Sequence, residues 1–527
     1  MVTTERKVQR GEFTNEPLVD FSNPENRRAM EEALKKVAGE LGREYPIYIA
    51  GEKVETPEKV RSTNPSRPEQ VVGVFQKATI ELARRAVEEA HRTFERWKGV
   101  PAEERAECLF RAADILRHRK FEMSAWLCYE VGKTWPEADA DVAETIDFAE
   151  FYGREMLRLA GPQPLTPVKG ERNYLVYIPL GVGVVIPPWN FPCAIMGGMT
   201  MASLVTGNTV VLKPSSDSPA VAAKFVELLY EAGVPKDVVS FVTGPGSLAG
   251  DAMVGHPKTR FVAFTGSKEI GLHIGEQAAK KQPGQIWIKR TVLEMGGKDA
   301  IIVDDEADLD ASVEGVAVSA FGYQGQKCSA CSRAIVAQKV YDAFLEKLKR
   351  RVAEIRVGPA DDPSNFMGPV INKSAMQSIL NYIEAGKKEG RLLAGGGPAK
   401  AAGDGYFIEP TVIADVQPRS RIEQEEIFGP VLAVIRAKDF DHALEIANDT
   451  EFGLTGGVYS HNPKKLEKAA EAFHVGNLYF NRKCTGAMVG GHPFGGFNMS
   501  GTDSKAGGRD YLLLFLQAKT VTEKVTS

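Results

Sequence analysis

The chain reads as an α/β protein built on parallel sheets, and three observations predict it. Short apolar, β-rich runs alternate with amphipathic helical stretches, as crossover units require: "GVGVVIPP" at 181–188, "TVVLKPS" at 209–215, "VVSFVTG" at 238–244 and "RFVAFTG" at 260–266. A second alternating series starts at "DAIIVDD" (299–305) and continues past residue 490. At 527 residues the chain exceeds one simple core, so two or three domains are expected. No repeat period, low-complexity tract or long linker separates them, which predicts interleaved domains rather than beads.

Taken in order, residues 23–42 read as a helix. Asn23 can cap it, Pro24 suits its first position, and Gly42 follows its last turn. "YPIYIAGEKVE" then alternates and turns like a short hairpin. From residue 79 to about 160 the apolar spacing is mostly helical. Residues 162–181 differ: two extended segments flank Lys169-Gly170, a pattern expected of a protruding hairpin whose edges invite subunit pairing. Between the second and third apolar runs of the first series, "SPAVAAKFVELLYEAGVP" reads as an amphipathic helix closed by Gly233.

Composition narrows the function class. The chain is 43% hydrophobic, 25% charged and 8% aromatic, with 65 Lys plus Arg against 69 Asp plus Glu, a formal charge of −4. That balance leaves no general basic footprint for nucleic acid or an anionic membrane. No run of about 18 apolar residues is present. The start lacks an apolar signal core, and Glu5 and Glu12 count against an acid-poor transit peptide. Six cysteines, sparse and irregular, point to free thiols in a reducing compartment, so a cytoplasmic enzyme is expected.

The run "GQKCSACSR" (325–333) poses the chemical question. Its Cys-x-x-Cys has no second ligand pair for zinc, so no metal is expected. A redox pair or a single nucleophile remains, Cys328 or Cys331, and Lys327 next door is expected to favour a thiolate. "TGPGSLAG" and "FTGSKEIG" each place glycines, Gly244, Gly246 and Gly250 or Gly266 and Gly271, between a strand and a helix. Such turns let backbone approach a pyrophosphate, although strand-to-helix turns use glycine anyway. Glu294 in "VLEMGGKDA" is either a solvated charge or, in an apolar setting, a general base. Asn190 in "PPWNFPC" is either a turn former or an oxyanion donor.

These runs cohere in one resemblance. "PWNFP" (188–192), "GNTVVLKPS" (207–215), "FTGS" (264–267), "LEMGGK" (293–298), "GQKCSA" (325–330), "EEIFGPVL" (425–432), "FGLTGG" (452–457) and "PFGGFNMSG" (493–501) resemble the aldehyde dehydrogenase superfamily, in its order, from about residue 45 onward. The resemblance implies an aldehyde dehydrogenase fold with a Rossmann-like NAD-binding domain (1–161 plus 182–292), an α/β catalytic domain (293–506), and a β-hairpin oligomerisation flap (162–181 plus 507–527). It also implies a mechanism. Cys328 attacks the aldehyde to give a thiohemiacetal, the Asn190 side chain and the Cys328 N–H hold the oxyanion, oxidation leaves a thioester, and Glu294 activates the water that hydrolyses it.

The resemblance assigns the remaining site residues too. Ile186, Pro187, Pro188, Trp189, Lys213, Ser215, Ser216, Gly246, Phe264, Thr265, Gly266, Ser267, Gly296, Glu426 and Phe428 would bind NAD. Position 216 is Ser where NAD-selective relatives often carry Glu, so tolerance of NADP is expected. "FGYQGQKCSA", "FHVGNLYFNRKCTGAMVG" and "GFNMSGTDSKAGGRDYLLLFLQAKT" look like the branch that oxidises glutamate γ-semialdehyde, in equilibrium with 1-pyrroline-5-carboxylate, in proline and arginine catabolism. Lys327, Ser329 and the backbone of Gly486 and Ala487 would hold the substrate carboxylate. Phe191 and Phe494 would flank its chain, and Glu137 would meet its ammonium. Expected partners are the small-molecule substrate, further copies in a homodimer or larger homo-oligomer, and a transient proline dehydrogenase. The alternatives are another semialdehyde, such as succinate semialdehyde, or a non-catalytic structural relative.

Overall fold

Two seven-stranded sheets organise the chain, which is described here from a computed structural model covering residues 11–525. Glu5 and the ends of the first and last expected segments lie outside the described residues. In the first sheet the order is Arg290–Glu294, Thr259–Thr265, Val182–Ile186, Thr209–Leu212, Val239–Phe241, Ile47–Ile49 and Glu52–Val54. The first five run parallel, and the expected hairpin closes one edge antiparallel. These strands are Val- and Phe-rich because helices cover both faces. Helix Ile80–Trp97, capped by Thr79, lays Ala83, Ala86, Val87 and Ala90 against Val184 and Val211. Full burial of Val184 alone stabilises the fold by about 2 kcal/mol.

After the edge hairpin, the five parallel strands start at their middle one, Val182–Ile186, build outward on one side, then cross to the other at Thr259–Thr265. Ligands of such sheets bind where the order reverses, beyond the carboxyl ends of the strands. Pro187 to Asn190 and Gly266 to Ser267 emerge there.

In the second sheet the order is Arg391–Ala394, Thr411–Ala414, Val431–Ala437, Arg333–Ala337, Ala300–Val303, Thr455–Tyr459 and Asn477–Phe480. All pairs are parallel except that of the edge strand Arg391–Ala394. Arg333 is fully buried at the start of its strand. Its guanidinium donates to Glu423 at 2.7 Å and to the carbonyls of Lys298, Ile446 and Ala447 at 2.9, 3.0 and 2.9 Å. Arg333→Met strands the Glu423 carboxylate and those carbonyls, so a loss of about 3–5 kcal/mol is expected. Denaturant unfolding checks it; an unchanged midpoint would contradict the role given to this network.

Two expectations are corrected. The first helix spans Pro24–Ala38, not 23–42. Asn23 does cap it, but the Gly39 N–H already bonds back to Lys35 and Lys36, which ends the helix a turn early, and Gly42 takes a left-handed φ of 79° in the turn beyond. The two segments around Lys169-Gly170 do not pair along their length. Glu171–Pro179 instead forms a nine-residue antiparallel ribbon with Leu516–Lys524, and the 162–169 stretch makes a single β-bridge to it, between Gln163 and Leu175. Pro162, Pro164 and Pro167 lack the N–H a ladder needs. Among the described residues no helix is long and apolar enough to cross a membrane.

Candidate active site

The carboxyl ends of the first sheet and the amino ends of the second enclose a cavity of about 830 Å³. Every residue nominated for the cofactor lines it, from Ile186 on the first sheet to Phe428 on the second, together with Asn190 and Cys328. The lining fits a dinucleotide. Gly246 has open space where a side chain would stand, Ser267 caps helix Lys268–Ala279 and accepts the Ile270 N–H, and that helix N-terminus favours a pyrophosphate. Lys213 points its amine into the same wall, where burial brings its pKa down to about 8. Glu426 accepts the Gly297 N–H at 3.0 Å, and burial lifts its carboxyl to about 7.

The loop that leads into Cys328 is held under strain. Tyr323 and Gln324, neither a glycine, take left-handed φ angles of 49° and 57° just before Cys328. Such backbone persists only where surroundings fix it. The Tyr323 hydroxyl donates to the Val131 carbonyl at 3.0 Å, and the Gln324 amide is bound on both sides, to Pro369 O and by the Gly368 N–H. Gly297 completes the seat, since a Cβ there would lie 2.4 Å from the Cys328 carbonyl.

Cys328 is partly exposed, whereas Cys331 is buried in the second core. Cys331 packs beside Cys484 rather than Cys328, and both thiols are free. The expectation that Lys327 favours the thiolate is corrected. Its amine is taken by Glu137 at 2.9 Å. Burial first, then the charges of Asp299, Glu426 and Glu294, push the Cys328 thiol well above its ordinary value. In the free protein the thiol is therefore protonated at neutral pH.

Asn190 is buried, and its side-chain amide donates to the carbonyl of Gln326 at 3.0 Å, two residues before Cys328. That bond ties the first sheet's switch point to the loop that carries Cys328. Glu294 ends strand Arg290–Glu294 opposite Thr265. It does not line the large cavity; one oxygen accepts a close hydrogen bond from Ser504, and the other is buried without a partner. Burial dominates and lifts its pKa to about 8.

None of the residues nominated for the substrate's far end lines the large cavity; Phe191 follows Asn190 in the chain, and Lys327 and Ser329 flank Cys328. Burial opposes the Glu137 charge, yet Lys327 and Lys133 outweigh it and hold that carboxyl below its ordinary value. Ser329 is joined to the 484–487 turn, because its carbonyl accepts from the Cys484 thiol at 3.5 Å. Gly486 takes φ 74° in that turn, and its carbonyl accepts from Arg482 at 3.1 Å, next to the half-buried Ala487. Phe494 forms a two-bond antiparallel bridge with Ala506, on the segment that carries Ser504.

Sequence reasoning missed four residues here. Lys133 is fully buried, with its amine 3.7 Å from the Phe191 ring centre, 4.6 Å from that of Tyr323 and 3.2 Å from Asp141. A lone lysine in "EVGKTWPE" offered no signal of this. Asp217 lines the cofactor cavity beside Ser216 and accepts from Asn372 at 3.0 Å. Its place directly after Ser216 could have been weighed, and it returns a carboxylate to the wall that Ser216 had opened. Tyr323 and Ser504 complete the set; each sits inside a quoted run, "FGYQGQKCSA" and "GFNMSGTDSKAGGRDYLLLFLQAKT", but only the folded chain shows its contact.

Residues 52–521 match the Aldehyde dehydrogenase family. The 1-pyrroline-5-carboxylate dehydrogenase of Geobacillus sp. (strain WCH70) is 58% identical over 97% of this chain and 99% of its own length, and that of Geobacillus kaustophilus (strain HTA426) is also 58% identical, over 97% and 99%. A solved 1-pyrroline-5-carboxylate dehydrogenase from Thermus with bound NAD superposes with a TM-score of 0.96 at 53% identity, covering 98% of this chain and 100% of that one. Betaine aldehyde dehydrogenase from Staphylococcus aureus in complex with NAD+ gives 0.88 at 30% identity, covering 95% and 98%. Proline utilization A from Bdellovibrio bacteriovorus gives 0.96 at 45% identity, and this chain spans 97% of itself but 53% of that protein.

Proposed function

The chain belongs to the aldehyde dehydrogenase family, and from that membership we propose which of its residues carry the reaction. The protein is an enzyme that uses NAD and oxidises L-glutamate γ-semialdehyde, the open form of 1-pyrroline-5-carboxylate, to L-glutamate. One observation supports the assignment of residues above the others: Asn190 and Cys328 share a cavity with every residue nominated for the dinucleotide.

Cys328 attacks the aldehyde carbon, and its thiol proton leaves as the thiohemiacetal forms. The Asn190 amide, released from the Gln326 carbonyl, and the Cys328 N–H meet the oxyanion. NAD, when bound, would accept the hydride that the thiohemiacetal carbon loses on becoming the thioester. Glu294 then takes a proton from the water that opens the thioester. Lys213 and Ser216 would hold the adenosine ribose, Ser267 the pyrophosphate, and Glu426 with Phe428 the nicotinamide ribose and ring. Phe428, held at φ 56°, sets its ring 5.5 Å from that of Trp189. At the far end Ser329, Gly486 and Ala487 would receive the carboxylate. The 2.9 Å Glu137–Lys327 pair changes the expected division of labour: Lys327 arrives already neutralised, so it orients Glu137 toward the ammonium as much as it reads the carboxylate.

The proposal extends to domains 1–161 plus 182–292, 293–506, and 162–181 plus 507–527, to a homodimer or larger homo-oligomer, and to a cytoplasmic location. The exposed ribbon of Glu171–Pro179 with Leu516–Lys524 supports the second of these, since it leaves two strand edges unpaired. The likeness to proline utilization A supports a transient contact with a proline dehydrogenase.

NAD reduction with 1-pyrroline-5-carboxylate, succinate semialdehyde and acetaldehyde tests the reading. kcat/KM for the first is expected to exceed that for acetaldehyde by about a hundredfold or more, the worth of two charge-assisted contacts. Equal values would overturn the substrate assignment. Repeating the assay with millimolar NADP tests whether Ser216 admits a 2′-phosphate despite Asp217.

A further inference from the structure

Glu294 has an asymmetric environment that the reaction scheme leaves unexplained. Its Oε1 accepts from the buried Ser504 hydroxyl, while Oε2, equally buried, has no hydrogen-bond partner. Ser504 sits on a segment with no freedom to drift. Its carbonyl would lie 1.6 Å from a Cβ at Gly495, so only glycine fits opposite it. The next residue, Lys505, donates to the carbonyls of Gly476 and Gly495 at 2.7 Å each. The Gly501 bridge to Glu294 and the Ser500 carbonyl, which accepts the Met295 N–H at 2.8 Å, fasten the same segment to the strand that carries Glu294.

We propose that Ser504 is a positioning residue for hydrolysis: its hydroxyl fixes one oxygen of Glu294 and leaves the other bare for the water that opens the thioester. This rests on the reading of Glu294 as the base. The water's oxygen bonds the acyl carbon, one of its protons passes to Oε2, the C–S bond breaks, and Cys328 departs as thiolate. A carboxylate with both oxygens satisfied would make a poorer base, and one with neither held would rotate away from the line of attack.

The groups facing Glu294 agree with this assignment. Burial raises its pKa; the Ser504 hydroxyl, Lys505 and the Gly496 N–H lower it, and Asp503 raises it again. Cys328 from the nucleophile loop and Tyr511 from the C-terminal turn feel its charge but offer it no hydrogen bond. Ser504 is the only side chain among the described residues that donates to it.

Stopped-flow and intact-mass measurements on Ser504→Ala test the proposal, using the aldehyde that the wild type oxidises fastest. The expected result is a first-turnover NADH burst at the wild-type rate, then steady turnover slower by about tenfold, the worth of one hydrogen bond to a charged group. The acyl adduct on Cys328 should accumulate, and the alkaline-rising limb of kcat should move to higher pH. Ser504→Cys, a weaker donor of similar size, should fall between the two. If burst and steady rate drop together, Ser504 only supports the fold; if neither drops, the hydroxyl is idle. Either result overturns the proposal. Failure of the wild type on 1-pyrroline-5-carboxylate would instead strike the substrate reading and leave this test standing.

Discussion

Cys328→Ala is expected to abolish aldehyde-dependent NAD reduction, with a loss of about four orders of magnitude or more. The side chain is small and partly exposed, so folding should survive and a thermal melt should match the wild type. Surviving activity would remove Cys328 as the nucleophile. The same thiol makes a second, independent prediction from its surroundings. Burial and the carboxylates of Asp299, Glu426 and Glu294 hold it protonated, so alkylation of the free protein by iodoacetamide should be slow at pH 7. It should rise as pH passes the ordinary thiol range, because only the thiolate reacts. Rapid, pH-independent labelling at neutral pH would show that some cation does reach the sulfur.

Glu294→Gln is expected to divide the reaction rather than stop it. The glutamine cannot accept the water's proton, so the first turnover should release NADH and leave acyl-enzyme on Cys328, with steady turnover down by about 10²–10⁴-fold. The pH sign follows from the raised pKa. A base must be ionised to work, and burial lifts Glu294 to about 8. Wild-type hydrolysis should thus increase as pH rises through about 8, and the glutamine variant should lose that limb. A variant that keeps both rate and limb would move the base elsewhere.

Much of this could be read from residues in a row. The Val- and Ile-rich runs marked buried parallel strands because their composition answers to two covered faces. Pro187, Pro188, Gly246 and Gly266 marked the turns at which the cavity opens. What stayed hidden depended on groups far apart in the chain. The partner of Glu171–Pro179 is more than 300 residues away, and prolines in the nearer segment are the one local sign that it could not serve. Lys327 looked like the neighbour of Cys328, but distance along the chain is not distance in space. Its partner Glu137 lies on helix Trp135–Ala160, while the charges that do govern the thiol come from Asp299, Glu426 and Glu294. The role of Lys133 was equally illegible, since a buried cation between two rings needs the rings to be placed first.

The ribbon has a consequence for biosynthesis. Glu171 pairs with Lys524 and Pro179 with Leu516, so during translation the earlier strand waits for most of the chain before its partner exists. The first sheet has all its strands by residue 294 and can form beforehand. Through that interval Tyr174, Val176 and Ile178 stand on a strand with both edges open, a template that other nascent chains could pair with. The order of synthesis therefore makes the ribbon the last part of the molecule to be secured and the place where crowding on a polysome would first tell.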